Sequence, residues 1–135
     1  MDSLIERRVV RQFVKFGIVG VVSTVIDWGL FYLLNFTFGI YYLTAKVLSF
    51  AVAVINSFVW NRRWTFRSQN PNRNQEFVKF LVIALVGLSL NTLIMYLAVS
   101  IFHTRKIVGL IFATGIVTFW NFLANKYWTF QNSQK

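Results

Sequence analysis

Two matching groups of amides, cations and indoles are the residues of this chain whose chemistry stands out. Residues 61–66 read Asn-Arg-Arg-Trp-Thr-Phe, and residues 125–130 read Asn-Lys-Tyr-Trp-Thr-Phe. Cations hold phosphate, amides hydrogen-bond hydroxyl groups, and indole faces pack against the C–H groups of a sugar ring. The two motifs therefore suit a phosphorylated sugar. Their predicted binding residues are Asn61, Arg62, Arg63, Trp64, Asn125, Lys126 and Trp128.

An alternative explanation needs no ligand. Tryptophan and arginine mark the inner surface of the membrane in many membrane proteins, whatever those proteins do. That explanation covers Trp64 and its neighbouring arginines, but not Asn61 and Asn125 in matching places. Nor does it cover Asn56 and Asn121, which lie about one turn deeper, where an amide costs free energy. We therefore add Asn56 and Asn121 to the predicted sugar-binding residues.

Two charged residues lie inside apolar segments. Asp27 is about 16 Å along a helix from residue 16, near the middle of a bilayer, where an acid costs about 2.5–3.5 kcal/mol. Lys46 in the next segment is close enough to neutralise it. Sixty-four residues later, Asn91 and Leu110 replace both charges, as expected if the two form a pair. Two alternatives stay open: Asp27 could be a packing carboxyl, and Lys46 could extend to the membrane surface. Asp27, Lys46 and Asn91 form a predicted midplane binding station.

The elements that must position these residues are helices arranged in a repeat. The two motif tryptophans are 128 − 64 = 64 residues apart, and the same offset maps residues 13–16 onto 77–80. Four segments are long enough to cross a bilayer core of about 20 residues: 16–34, 43–60, 80–102 and 107–124. The composition, 56% apolar and 13% charged, is typical of a membrane protein.

We therefore predict an all-α membrane protein with four transmembrane helices in two tandem helical hairpins, a parallel internal repeat. Residues 1–135 form one membrane domain, with repeat 1 at about 13–66, a cytoplasmic linker at 67–76 and repeat 2 at about 77–130.

The distribution of positive charge predicts the topology. The net charge is +10, and most cations precede the first segment, lie between the second and third, or follow the fourth at Lys126 and Lys135. By the positive-inside rule both termini and the central loop are cytoplasmic. Topology accounts for these cations, so nucleic acid is not a predicted partner. Residues 1–15 are either a basic tail or a short amphipathic helix on the membrane surface.

These residues resemble the GtrA-like family of small four-helix membrane proteins. The resemblance rests on the Phe-x-x-Val-Gly of residues 16–20, on Asp27, and on the two endings at 61–66 and 125–130. It implies a role in bacterial cell-surface polysaccharide or teichoic-acid glycosylation, with movement of polyprenyl-phosphate-linked monosaccharides across the cytoplasmic membrane. The chain departs from the family pattern at Ile83, Ala84 and Lys126, so its halves are not expected to contribute equally.

The predicted function is translocation of a polyprenyl-phosphate sugar, with glucose as the expected sugar, in the bacterial cytoplasmic membrane. The expected partners are that lipid, membrane lipid, a second copy of the chain in a homodimer, and a membrane glycosyltransferase. We expect no enzyme activity, cofactor or metal site, because no nucleophile and base pair or carboxylate pair occurs within a plausible site. The alternatives are a non-transporting subunit that anchors a glycosyltransferase, and a small proton-coupled exporter.

Overall fold

The computed structural model describes residues 2–131, which form four α-helices, each followed by a five-residue π-helical turn. The α-helices are α1 (Asp2–Tyr32), α2 (Tyr42–Trp60), α3 (Arg73–Tyr96) and α4 (Lys106–Ala124). The π-helical turns are Leu33–Thr37, Asn61–Thr65, Leu97–Ile101 and Asn125–Thr129. Within residues 2–131, four stretches are long and apolar enough to cross a membrane: Ser3–Thr37, Tyr42–Thr65, Arg73–Ile101 and Lys106–Thr129. The prediction of an all-helical protein with four membrane spans is confirmed. Lys135 lies outside the described residues.

Helices α1 and α3 begin earlier than the apolar pattern indicates. The 31 residues of α1 are about 46 Å long, more than the roughly 30 Å hydrocarbon core, because no glycine or proline interrupts residues 2–15. Those residues continue α1 and do not form a separate surface helix. Helix α3 begins at Arg73, inside the predicted linker 67–76 and two residues after Pro71. Pro71 precedes the N-cap residue Asn72, so it lies outside the helix and removes none of its hydrogen bonds.

The chain divides into two compact units, one ending at Ser68 and the other beginning at Gln69. Unit 1 contains α1 and α2, and unit 2 contains α3 and α4. Helices α2 and α4 begin and end 64 residues apart, as do the π-helical turns of the two units. Short turns join the helices of each unit, so the two helices lie antiparallel and side by side. Gly39 has a positive φ of 68° in the turn of unit 1, a conformation that suits glycine.

In each unit, the second helix buries a row of small side chains. This row faces a row of mostly larger side chains on the first helix. Helix α2 buries Ala45, Ser49 and Ala53, and α4 buries the corresponding Gly109, Ala113 and Val117. Small residues four apart let two helix backbones approach closely inside a membrane. The facing rows of buried residues are Gln12, Phe16, Val19 and Ser23 in α1, with Glu76, Phe80, Ile83 and Gly87 at the corresponding positions of α3.

Most large apolar side chains of α1 to α4 remain exposed. They include Val21, Val47, Val82 and Ile111. A water-soluble protein rarely exposes apolar surface on this scale, whereas lipid chains cover it without cost. The exposed surface, the span lengths and the composition together identify a multi-pass membrane protein.

Candidate functional site

A network of three polar side chains lies inside the membrane-spanning part of unit 1. The Lys46 ammonium donates to one carboxylate oxygen of Asp27 at 2.9 Å, and the Ser49 hydroxyl donates to the other at 2.7 Å. The side chain of Asp27 is 14% exposed, whereas that of Lys46 is 49% exposed. The predicted ion pair is therefore present. The Lys46 ammonium is accessible from outside the unit, whereas the Asp27 carboxylate is largely enclosed between the two helices.

A second polar contact joins the same helices one turn of α1 away. Asn56 Nδ2 donates to the Ser23 hydroxyl at 3.1 Å, and Ser23 is buried. Ser23 precedes Asp27 by four residues, so the two contacts lie on one face of α1. Together, Ser23, Asp27, Lys46, Ser49 and Asn56 form what we call the polar seam of unit 1.

Unit 2 does not repeat this seam. The positions of Asp27, Lys46 and Ser49 are occupied in unit 2 by Asn91, Leu110 and Ala113. In place of the Ser23 and Asn56 pair stand Gly87 and Trp120, and the Trp120 indole N–H donates to the Ile83 carbonyl at 3.4 Å. The network is thus a property of one unit, although the backbone elements recur in both. Asn91, the third member of the predicted midplane station, is half-buried in α3.

Asn61 and Asn125 begin the last π-helical turn of each unit, and both are buried. Asn61 Oδ1 accepts from the Thr65 hydroxyl at 2.7 Å, and Asn125 Oδ1 accepts from Thr129 at 2.8 Å. Each amide nitrogen also donates within its own helix, Asn61 to the Ser57 hydroxyl at 3.1 Å and Asn125 to the Asn121 carbonyl at 2.7 Å. These bonds explain the Asn-x-x-x-Thr spacing of both motifs as a device that closes the turn. A role for either amide in sugar binding stays a prediction.

Asn121 lies deeper in α4, against Gly87 of α3. Its Oδ1 atom is buried and has no hydrogen-bond partner among the described residues. A Cβ placed on Gly87 would lie 2.7 Å from that oxygen. Unit 1 has serine at both corresponding positions, Ser23 and Ser57. Glycine at position 87 of α3 therefore leaves room for the longer Asn121 side chain of α4.

Gly87→Ala should destabilise the protein by about 1 kcal/mol, because the Asn121 amide, the flexible end of its side chain, must move away from the added Cβ. Adding Asn121→Ser, the residue that unit 1 has there, should restore most of the loss. Thermal unfolding in detergent measures both. Gly20→Ala is the matched control, since nothing lies within 4 Å of its added Cβ and alanine stands at the corresponding Ala84. If Gly87→Ala were as stable as this control, the proposed packing of Asn121 would be wrong.

Lysines lie over the motif tryptophans in both units. Lys15 Nζ is 5.3 Å from the centre of the Trp64 ring, and Lys79 Nζ is 5.4 Å from that of Trp128. Such a contact attracts a cation to the face of the indole ring. Sequence reasoning did not identify these lysines as site residues. The signal was present, because both belong to the Phe-Val-Lys-Phe segments that recur 64 residues apart.

The three motif cations differ in exposure. Arg63 is exposed and Arg62 is half-buried, whereas Lys126 is 3% exposed and its ammonium lies 5.7 Å from the Tyr127 ring centre. Unit 2 also buries Glu76, at the position that Gln12 occupies in unit 1. The motif end of unit 2 thus contains an acid that unit 1 lacks at this position. Of the predicted phosphate-binding cations, Arg63 is the most accessible.

Comparison with known proteins matches nearly the whole chain. The family model described as GtrA/DPMS, transmembrane domain, matches residues 15–130. The uncharacterized membrane protein YngA of Bacillus subtilis (strain 168) is 35% identical over 121 residues, which cover 90% of this chain and 80% of that protein. The uncharacterized membrane protein YwcD of the same strain is 21% identical over 121 residues, covering 87% of this chain and 95% of that protein. The matched family range includes the polar seam and both motifs.

Proposed function

Because this chain belongs to the GtrA/DPMS transmembrane domain family, we propose that it translocates a polyprenyl-phosphate-linked monosaccharide across the bacterial cytoplasmic membrane. Glucose is the proposed sugar, and cell-surface polysaccharide glycosylation is the proposed use. The observation that carries this proposal is the polar seam of unit 1. An ion pair and an amide inside an apolar span cost free energy, and ionisable residues at such depth commonly mark the path of a polar substrate.

In this proposal the lipid tail stays in the bilayer while the head group crosses along the seam. Arg62, Arg63 and Lys126 bind the phosphate at the inner interface, and Trp64 and Trp128 pack against the sugar. Asn56, Asn61, Asn121 and Asn125 bond its hydroxyl groups, and Asp27, Lys46 and Asn91 form the midplane station. Lys126 is buried, so neighbouring side chains of unit 2 must move before a phosphate reaches it.

The half-exposed position of Lys46 supports the midplane step. Its ammonium has donors left after bonding Asp27, and those donors can bind a hydroxyl or phosphate oxygen that arrives from the exposed side. Meanwhile Asp27 keeps its bond to Ser49. Lys46 can therefore bind an oxygen of the head group while the Asp27 carboxylate keeps one hydrogen bond, from the Ser49 hydroxyl.

The proposal also includes the driving force of transport and the protein partners. No phosphate-binding Gly-x-x-x-x-Gly-Lys loop occurs in the sequence, and consumption of the head group outside would give the movement its direction. A homodimer and a membrane glycosyltransferase are the proposed protein partners, and the chain itself acts without enzyme chemistry.

The experiment is translocation of a short-chain polyprenyl-phosphate glucose in liposomes containing only this protein, followed by capture of outward-facing glucose with an added lectin. We expect wild type to accelerate capture well above protein-free liposomes. Equal rates would contradict transport by this chain alone and favour a non-transporting subunit of a glycosyltransferase. Acceleration only under an imposed proton gradient would favour the exporter.

A further inference from the structure

We propose that Arg11, Lys15 and Arg67 of unit 1 form a binding site for the phosphate group of a membrane lipid. The Trp64 ring lies beneath Lys15 and holds it in place. None of the three cations belongs to the phosphate-binding set of the proposed function. The site deepens that function and rests on it for the identity of the lipid.

The first argument is the convergence of like charges. Arg11 and Lys15 lie one turn apart on α1, and Arg67 follows Phe66, whose ring packs against that of Phe16, the residue after Lys15. Lys15 is fixed over the Trp64 ring at 5.3 Å, where it cannot swing away without losing that contact. Three cations held close together repel one another, so an anion bound among them is stabilised by all three.

The second argument is the backbone at Arg67. Its φ is 48°, in the left-handed region that costs a residue with a Cβ about 1 kcal/mol or more. This conformation lets the Ser68 N–H donate to the Arg62 carbonyl at 2.8 Å and so closes the end of the helix. The other turn of unit 1 makes the equivalent bond, from the Ile40 N–H to Leu34 at 2.9 Å, with Gly39 in that conformation. Arginine stands where glycine would fit more easily, as His103 does with a φ of 55° in the first turn of unit 2, so its side chain is placed at the end of the helix at a cost in backbone strain.

The third argument is the contrast with unit 2. The positions of Arg11 and Arg67 are occupied there by Gln75 and Gln131, and Gln12 is replaced by the buried Glu76. Lys79 still lies over Trp128. Both units therefore keep the lysine and the indole, but only unit 1 adds two further cations and omits the acid.

The location identifies the ligand as a lipid phosphate. Lys15 immediately precedes Phe16, where the long apolar run begins, and Phe16 packs against Phe66 with ring centres 6.4 Å apart. Basic and tryptophan side chains at the edge of an apolar span lie at the level of lipid head groups. The same phosphate chemistry is offered by polyprenyl-phosphate glucose and by phosphatidylglycerol.

The test measures binding of each of these two lipids to the purified full chain in detergent by native mass spectrometry. The variant Arg11→Gln/Arg67→Gly removes two cations. Glutamine is chosen for position 11 because unit 2 has Gln75 there, and glycine is chosen for position 67 because it suits the left-handed backbone. The control Arg105→Gln/Lys106→Gln removes two cations at the start of α4. We expect binding to fall about tenfold or more in the variant, whereas the control stays within about twofold of wild type. The variant should unfold at a temperature no lower than wild type, because glycine in place of Arg67 relieves the left-handed strain.

Loss of polyprenyl-phosphate glucose alone would assign the site to the lipid-linked sugar, and loss of both lipids would assign it to lipid phosphate in general. Wild-type affinity of the folded variant for both lipids would overturn the site, as would a wild type that binds neither. The two proposals fail separately. A wild type that binds through these cations but does not translocate contradicts only transport, and a translocating protein whose variant binds normally contradicts only this site.

Discussion

Lys46→Leu should cost about 3 kcal/mol of stability, and adding Asp27→Asn should recover most of it. Removing the lysine takes the cation away from the Asp27 carboxylate, which is 14% exposed, and leaves it bonded to the Ser49 hydroxyl inside an apolar span. Breaking a buried ion pair by deleting one partner typically costs about 3–5 kcal/mol, whereas replacing both partners is often neutral. The double variant places asparagine and leucine at positions 27 and 46. Unit 2, a similar hairpin, already has these two residue types at the corresponding positions, Asn91 and Leu110.

The measurement is the unfolding transition of the single and double variants in the same detergent. Ser89→Ala is a suitable control, because Ser89 is exposed on α3 and donates to the Leu85 carbonyl of its own helix, at 3.1 Å. It should unfold like wild type. A double variant no more stable than Lys46→Leu would show that the seam of unit 1 needs its charges to fold.

The helices and their spacing follow from the sequence because apolar length and repeat offset are properties of the chain itself. Depth along a helix follows from the rise per residue, so the ion pair between Asp27 and Lys46 could be predicted before any side chain was placed. The rows of small residues could be predicted in the same way, since a four-residue spacing defines one face of a helix.

Side-chain contacts that depend on rotamers could not be predicted in this way. The spacing places Ser49 on one face of α2 with Lys46 and Asn56, but it does not show that the Ser49 hydroxyl donates to Asp27. Lys126 lies in a basic motif that is typical of an exposed surface, yet it is buried. Periodicity fixes which face a residue shares but not which way a long side chain turns, and Lys15 over Trp64 is a contact of that kind.

The left-handed backbone at Arg67 is a further feature that could not be predicted from the sequence. Glycine signals such a position in the other turn of unit 1, but an arginine carries no comparable signal. The asymmetry between the units was partly visible, since the charges at positions 27 and 46 are lost together in the second repeat. Ser23, Ser49 and Asn56 are also replaced at the same offset, but only the contacts show that their two hydroxyls and one amide belong to the same seam as the charges.

Asp27→Asn/Lys46→Leu should fold but should not translocate lipid-linked glucose. Unit 2 forms its hairpin without these charges, so packing does not require them in unit 1. In the proposed function, these charges offset their free-energy cost within the membrane by binding the head group of the lipid. Without Lys46 the midplane station has no cation, and the charge of the head group must cross the middle of the membrane unaided. We therefore expect the rate of movement to fall to that of liposomes without protein.

The most direct test compares wild type, this double variant and Ser89→Ala in one liposome preparation, at equal amounts of folded protein, by lectin capture of polyprenyl-phosphate glucose. We predict that wild type and Ser89→Ala accelerate capture equally, and that the double variant does not exceed protein-free liposomes. A folded double variant that moves the lipid at the wild-type rate would contradict the claim that the polar seam of unit 1 is the path of the head group.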